Sequence, residues 1–149
     1  MNMTQELGAH LSGLEQMQAL IAAGFKPPIA ETLKFDLVEV GPGRAVFEAE
    51  PGLFVYNPIG SVHGGYIATL LDSACGCAMH TALKPGYGYT TLELKVAYHK
   101  AVTDKTGRIR CEGLVMSSGR RAGFSEAKLT DAQGRLLASA TSSLLIFEV

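Results

Sequence analysis

The residues best suited to chemistry lie in one stretch, where His63, Gly64 and Gly65 precede an apolar segment that contains Asp72. The two glycines stand where a helix is predicted to begin, and the first N–H groups of a helix have no partner within it. The Gly64 N–H can therefore hold a developing oxyanion, helped by the positive end of the helix dipole. The missing side chains of Gly64 and Gly65 also let a substrate approach the backbone closely. A single carboxylate on an otherwise apolar helix is costly to bury, which indicates a chemical role for Asp72.

These groups are sufficient for cleavage of a thioester. A thiolate leaves easily because the pKa of its conjugate acid is roughly 8.5, so little general-acid help is needed. One base or nucleophile with an oxyanion hole is then enough. The sequence has no nucleophile-elbow pattern that would supply a catalytic triad. No group of His, Cys and Asp residues has the spacing of metal ligands, so we expect neither a metal nor a cofactor.

The composition is that of one ordinary globular domain. The chain has 149 residues, of which 47% are hydrophobic and 18% charged, with a net charge of −1. This length suits a single domain over residues 1–149. No run of Lys or Arg exceeds two residues, so neither a nucleic acid nor an anionic membrane is expected as a partner. Three cysteines argue against a disulfide framework, and no signal peptide or membrane span is visible, so we expect a reducing, cytoplasmic location.

The predicted secondary structure is one amphipathic helix, a hairpin, a central helix and four long strands. The first helix is expected over residues 4–22 with its end at Gly24, and the central helix over 65–83. Strands are expected over residues 34–40, 44–50, 53–56, 90–102, 108–118, 121–130 and 135–147. The linkers between the last four are too short for parallel crossovers, so these strands should be antiparallel meander neighbours. The central helix is apolar nearly all round, which indicates that it is enclosed. An α+β hotdog fold, a curled antiparallel sheet around this helix, satisfies the order.

Several motifs support a family assignment over about residues 34–147. They are Asn57, His63-Gly64-Gly65 and Asp72, the last within Leu71-Asp72-Ser73-Ala74, followed by Gly-Arg-Arg-Ala-Gly-Phe after Met116-Ser-Ser and by the hairpin at 130–134. In these motifs the chain resembles the hotdog-fold acyl-CoA thioesterases of the PaaI-like branch, named for phenylacetate catabolism. The resemblance implies hydrolysis of an aromatic or short-to-medium acyl-CoA to the free acid and coenzyme A.

The resemblance also implies roles for individual residues. Asp72 matches the carboxylate that attacks the thioester carbon or deprotonates water, and Gly64 matches the oxyanion-hole glycine. Asn57 matches an amide that helps position the water or the thioester. His63 matches the motif histidine, which is usually supportive. The same residues also have structural interpretations, because a histidine often caps a helix and Asn57-Pro58 is a turn signal in its own right.

A hydroxyl beside the carboxylate is the least determined part of the site. Aligning residues 93–98 with the family's corresponding strand places Thr91 where a water-binding Ser or Thr often lies. Strict strand alternation, however, turns Thr91 to the face opposite Leu92 and Leu94, so Thr90 is an alternative.

Two arginines and two histidines outside the motif also need an interpretation. Arg120 and Arg121 are suited to bind the phosphates of coenzyme A, because guanidinium groups pair well with phosphate. The alternative is that they flank a turn as solvated charges. His80 and His99 have no partner recognisable in the sequence and are expected at the surface or in an interface.

Two other functions are compatible with the same fold. One is an acyl-thioester hydratase or dehydratase, which typically pairs a His base with an acidic partner in a different motif. The other is a non-catalytic acyl-CoA-binding module, which would lack Asp72 or carry an additional DNA-binding domain. Release of free thiol from a panel of acyl-CoAs separates these functions from hydrolysis.

The spacing of Gly64 and Asp72 has a consequence for assembly. Eight residues on one helix correspond to about 12 Å along its axis. The oxyanion donor and the attacking group must both lie about 3 Å from one carbonyl group. We therefore expect an isologous homodimer in which each site takes Asp72 from one chain and Gly64 from the other, and which can pair again into a homotetramer.

Overall fold

The computed structural model describes residues 2–149, with three helices before the first strand. These are α1 (Met3–Gly8), α2 (Gly13–Ala23) and α3 (Pro28–Leu33). The single helix predicted over residues 4–22 is therefore wrong. The chain turns after Gly8, and α2 restarts with a capping box in which Ser12 and Glu15 bond each other's backbone N–H groups. As predicted, the helix ends at Gly24, whose φ of 65° is the left-handed conformation that glycine adopts easily.

Six antiparallel strands form one sheet. They are β1 (Phe35–Gly41), β2 (Arg44–Ala49), β3 (Tyr87–Tyr98), β4 (Ile109–Ser118), β5 (Ala122–Asp131) and β6 (Leu136–Glu148). Their spatial order is β1-β2-β4-β5-β6-β3. Long strand pairs with alternating burial follow from the alternating apolar residues of the sequence. The sheet therefore has two edges, β1 and β3.

The structure corrects two expectations about the strands. The meander holds for β4, β5 and β6, but β3 lies beside β6 rather than beside β4. The linker over residues 99–108 is long enough to cross the end of the sheet, where the N–H groups of His99 and Lys100 bond the Leu137 carbonyl. The strand predicted over residues 53–56 is instead a 3-10 turn, Leu53–Val55, which positions the loop before the central helix.

The central helix, α4 (Gly64–Thr81), packs on one face of the sheet, and its bounds are close to the predicted 65–83. Its buried residues form the main core with apolar residues of β1, β2, β4, β5 and β6. The helix approaches β4 so closely that a Cβ on Gly113 would lie 2.1 Å from the Ala74 carbonyl oxygen. This is the hotdog arrangement. None of the helices in the described part of the chain has the length and apolarity to span a bilayer.

Candidate active site

The first turn of α4 leaves one backbone N–H unpaired. His63 is the N-cap, and its Nδ1 accepts a 2.8 Å hydrogen bond from the Gly65 N–H. The N–H groups of Tyr66 and Ile67 bond the His63 carbonyl at 3.0 and 3.4 Å. Among the residues that the structure describes, the Gly64 N–H has no partner. His63 thus occupies the donor of Gly65 and leaves Gly64 as the free donor at the positive end of the helix.

A tyrosine that the sequence motif does not include holds the Gly64 peptide in place. The hydroxyl of Tyr98, at the end of β3, donates a 2.6 Å hydrogen bond to the Gly64 carbonyl. A Cβ added to Gly64 would lie 3.0 Å from the same hydroxyl oxygen. Tyr98 therefore fixes the Gly64–Gly65 peptide, which directly follows the unpaired N–H of Gly64.

Asp72 lies two turns further along α4, on the side that faces β3. It is half-buried, and its Oδ1 accepts a 2.9 Å hydrogen bond from the Thr91 hydroxyl. Thr90 is exposed and belongs to the opposite face of the strand. The structure thus brings Thr91, and not Thr90, to the carboxylate.

A bulge in β3 explains why strict alternation failed here. Thr91 pairs with Leu144 of β6 and Glu93 pairs with Ser143, so Leu92 is an extra residue without a partner of its own. The bulge reverses the alternation beyond it. Leu94 therefore packs against the core on the same side as Thr91, while Leu92 is 64% exposed.

Gly64 and Asp72 both lie toward β3 but far apart on one rigid helix. Their contacts with β3, at Tyr98 and Thr91, are seven residues apart on the strand. The helical rise gives a separation of about 12 Å along the axis. Within one chain, these two groups are therefore too distant to serve the same carbonyl group.

Asn57 organises the loop that precedes α4. Its Oδ1 accepts hydrogen bonds from the N–H groups of Ile59 and Ser61, both at 3.1 Å, and its Nδ2 donates to the Ser61 hydroxyl at 3.0 Å. One N–H of the amide remains for another partner. The loop returns the chain to His63, whose N–H bonds the Val55 carbonyl at 2.8 Å.

Arg120 and Arg121 lie in a groove of about 980 Å³ at the C-terminal end of α4. Lys84 and Tyr87 also line it, as does Glu148, which accepts a 3.0 Å hydrogen bond from the Tyr87 hydroxyl. Neither arginine forms a salt bridge with a described residue. The groove thus contains three cationic side chains and one carboxylate, and it begins ten residues, or about 15 Å, beyond Asp72 along the helix.

His80 is buried, contrary to its expected position at the surface or in an interface. The Gln16 amide donates to the Gly8 carbonyl, so Gln16 Oε1 accepts a 2.8 Å hydrogen bond from His80 Nε2. Burial lowers the pKa of His80 from 6.5 to about 4. His99, by contrast, is exposed and lies 2.8 Å from the Ser139 hydroxyl.

The sequence model of the thioesterase superfamily matches residues 59–138, which is more than half of the chain and includes Gly64, Asp72 and Thr91. The chain belongs to the thioesterase superfamily. It is a thioester hydrolase. A curated relative, a 1,4-dihydroxy-2-naphthoyl-CoA hydrolase from Listeria monocytogenes, is 28% identical over 109 residues, which cover 73% of this thioesterase and 87% of the relative.

Solved structures have the same fold. A thioesterase family protein from Silicibacter pomeroyi superposes with a TM-score of 0.80 at 23% identity, over 93% of this thioesterase and all of that chain. A phenylacetic acid degradation-related protein from Ralstonia eutropha gives a TM-score of 0.77 at 22% identity, over 87% and 98% of the two chains. A Streptococcus mutans protein bound to acetyl-CoA gives 0.70 at 25% identity, over 76% and 89%. These likenesses confirm the hotdog fold.

Proposed function

We propose that this thioesterase hydrolyses an aromatic or short-to-medium acyl-CoA, with Asp72 as the general base or nucleophile and the Gly64 N–H as the oxyanion hole. The observation that carries the proposal is a pair of groups on α4. One is the unpaired N–H of Gly64, and the other is the carboxylate of Asp72, held by Thr91 through one oxygen. An oxyanion donor and an oriented carboxylate are the two parts that thioester hydrolysis requires.

The chemistry proceeds from these two groups. The Asp72 oxygen that Thr91 does not bind either takes a proton from water, which attacks the thioester carbon, or attacks that carbon itself. The carbonyl oxygen becomes negative and is stabilised by the Gly64 N–H and the positive end of the α4 dipole. Collapse of the tetrahedral intermediate releases the coenzyme A thiolate. In the nucleophilic route, water then hydrolyses the acyl-Asp72 anhydride.

The active site is proposed to combine two chains. Gly64 and Asp72 of one chain are about 12 Å apart, whereas the two groups must act on one carbonyl. A two-fold axis that places two copies of α4 antiparallel brings Asp72 beside the partner's Gly64. The dimer then has two identical sites.

The edge strand β3 is suited to lie along such a two-fold axis. It is twelve residues long, and its outer backbone edge pairs with no described strand. A two-fold axis near Leu94 makes the two copies of β3 run antiparallel, so that Thr91 of one chain lies near the partner's Tyr98. It also sets Glu93 opposite the partner's Lys95, and neither of these side chains forms a salt bridge with a described residue of its own chain.

Coenzyme A is proposed to place its phosphates in the groove with Arg120, Arg121 and Lys84. The groove begins about 15 Å from Asp72, a distance that an extended pantetheine arm spans. The substrate class is supported by the Listeria monocytogenes relative, which is named for an aromatic acyl-CoA, and by the Streptococcus mutans structure, which contains acetyl-CoA.

Release of free thiol from purified protein tests the proposal. The panel contains benzoyl-, phenylacetyl-, acetyl-, hexanoyl- and palmitoyl-CoA, with p-nitrophenyl acetate as an oxygen ester. We expect turnover of at least one aromatic or short-to-medium acyl-CoA, and a kcat at least about 10²-fold lower for Asp72→Asn with an unchanged fold. Activity on the oxygen ester alone, or wild-type turnover by Asp72→Asn, contradicts the proposal.

A further inference from the structure

The hydrogen bond from Tyr98 to the Gly64 carbonyl ties the first turn of α4 to the end of β3. Within a helix, a carbonyl accepts from the N–H four residues later, and the second lone pair of its oxygen is open to another donor. The bond from Tyr98 Oη is 2.6 Å long, at the short end of the usual range for a hydroxyl donor. A side chain of the sheet thus holds the backbone of the residue whose N–H is the proposed oxyanion donor.

Tyr98 is a well-fixed anchor for this bond. It is the last residue of β3, and the next two N–H groups, of His99 and Lys100, donate to the Leu137 carbonyl at 2.8 and 3.0 Å. The Tyr98 ring lies against Gly64, where a Cβ would be only 3.1 Å from Cζ and 3.3 Å from Cε1. The missing side chain at position 64 therefore lets the hydroxyl reach the carbonyl.

The peptide between Gly64 and Gly65 is held at both ends. Tyr98 bonds its carbonyl oxygen, and its N–H donates to His63 Nδ1 at 2.8 Å. Because a peptide unit is planar, these two bonds fix the orientation of the whole plane. Glycine loses more conformational freedom on ordering than any other residue, and two successive glycines have no side chains to restrain them. The bonds from Tyr98 and to His63 supply that restraint.

The N–H of Gly64 belongs to the adjoining peptide plane. The carbonyl of that plane, at His63, accepts from the N–H groups of Tyr66 and Ile67. The two planes meet at the Gly64 Cα, so holding both of them fixes the direction in which the N–H points. An oxyanion donor is most effective when it is already aimed at the developing charge and needs no reorganisation during the reaction.

We propose that Tyr98 is a positioning residue for thioester hydrolysis, which holds the Gly64 peptide so that the Gly64 N–H points at the developing oxyanion. This inference rests on the proposed function, because it assigns that N–H to the oxyanion hole. A tyrosine hydroxyl has one proton, and Tyr98 gives it to the Gly64 carbonyl, so it does not donate to the substrate. In the proposed dimer, Tyr98 serves the site that the partner's Asp72 completes.

Tyr98→Phe deletes the hydroxyl and keeps the ring against Gly64. We expect kcat for acyl-CoA hydrolysis to fall about fivefold with KM within about twofold, because an aimed N–H matters most when the carbonyl oxygen is negative. Tyr56→Phe is the matched control, since it deletes a tyrosine hydroxyl that bonds Asp104 rather than α4, and its kcat should stay within about twofold of the wild-type value. Urea unfolding shows that each variant keeps the wild-type fold.

A second substitution tests whether Tyr98 acts through Gly64. Gly64→Pro has no N–H to aim, so Tyr98→Phe added to it should lower kcat by less than about twofold further. The same dependence applies to mixed dimers of an Asp72→Asn chain and a Gly64→Pro chain. There, Tyr98→Phe should lower the activity only when it is placed on the Asp72→Asn chain, which supplies the intact Gly64.

Three results overturn the role of Tyr98 while the proposed function stands. They are an unchanged kcat in Tyr98→Phe, a rise in KM alone, and the same loss of kcat in the Gly64→Pro background or from either chain of the mixed dimer. Failure of the wild-type enzyme to hydrolyse any coenzyme A thioester, or wild-type turnover by Gly64→Pro, instead overturns the proposed function and this inference together.

Discussion

The hydroxyl of Thr91 donates a 2.9 Å hydrogen bond to Oδ1 of Asp72. The bond joins β3 to α4 and orients a carboxylate that is half-buried on an otherwise apolar helix. One oxygen is held and the other is available to a water molecule or a thioester. A β-branched side chain on a strand is well suited to this, because its χ1 angle is restricted.

Thr91→Val keeps the branched shape and deletes the hydroxyl. We expect kcat to fall about tenfold, since Asp72 loses its orienting bond while binding of the substrate is little affected. Thr90→Val is the matched control, because Thr90 is exposed on the opposite face and its replacement should change kcat less than twofold. Steady-state hydrolysis by both variants checks this, and a larger effect at Thr90 would show that the wrong threonine has been chosen.

Gly64→Pro removes the proposed oxyanion donor with little disturbance of the helix. Proline is well tolerated at the first helical position, and His63, with φ −62° and ψ 133°, already has the conformation that precedes proline. We expect kcat to fall about 10² to 10³-fold. In Gly64→Ala the added Cβ also contacts Tyr98, but the N–H is retained, so kcat should stay within a few-fold of the wild-type value. Equal losses in both variants would indicate that crowding at Tyr98, rather than the N–H, controls the rate.

Replacement of both Arg120 and Arg121 by Gln should raise KM for a coenzyme A thioester about tenfold, with kcat nearly unchanged. The reason is loss of guanidinium–phosphate pairing far from the reacting bond. The same acyl group on pantetheine, which lacks the phosphates, provides the control and should show no change in KM. A similar rise for both substrates would place the arginines in a structural role.

Stability should depend on pH through His80. Its pKa is about 4 in the folded chain and 6.5 when solvated, so between these values the unfolded chain binds a proton that the folded chain does not. The free energy of unfolding is therefore highest above pH 6.5 and falls by about 3 kcal/mol as the pH drops to 4. Urea unfolding across this range measures the slope.

The His80→Gln variant should lack much of this slope, whereas His99→Gln, at an exposed position, should retain it. If wild type and His80→Gln lose stability in parallel as the pH falls, the acid sensitivity belongs to other groups.

The fold was predictable from the sequence for the central helix and for most of the long strands. The apolar helix α4 and the long strands show clear periods of 3.6 and 2, and their bounds agree with the structure within a few residues. The break after Gly8 has a local signal in the Ser12–Glu15 capping box, which the helical period of the surrounding apolar residues obscured. The position of β3 beside β6 depends instead on contacts between strands that are distant in sequence. No local pattern encodes such contacts.

The residues of the candidate site were likewise predictable from the sequence only in part. The positions of Gly64 and Asp72 on one helix follow from their spacing in the sequence. The choice of Thr91 required the bulge at Leu92, which alternation alone does not show. Tyr98 lies 34 residues beyond Gly64, at the far end of the strand that follows α4, and only the fold brings it to the first turn of the helix.

The most direct test of a site shared by two chains is complementation between Asp72→Asn and Gly64→Pro. Neither homodimer should be active. In a mixed dimer, Asp72 of the Gly64→Pro chain meets the intact Gly64 of its partner, so one of the two sites is complete. Random co-assembly should therefore restore about a quarter of the wild-type activity. Co-expression with two different tags and purification through both isolates the mixed dimers, for which the thiol-release assay should give about half of the wild-type activity. Activity that stays at the level of the inactive homodimers would contradict the shared site.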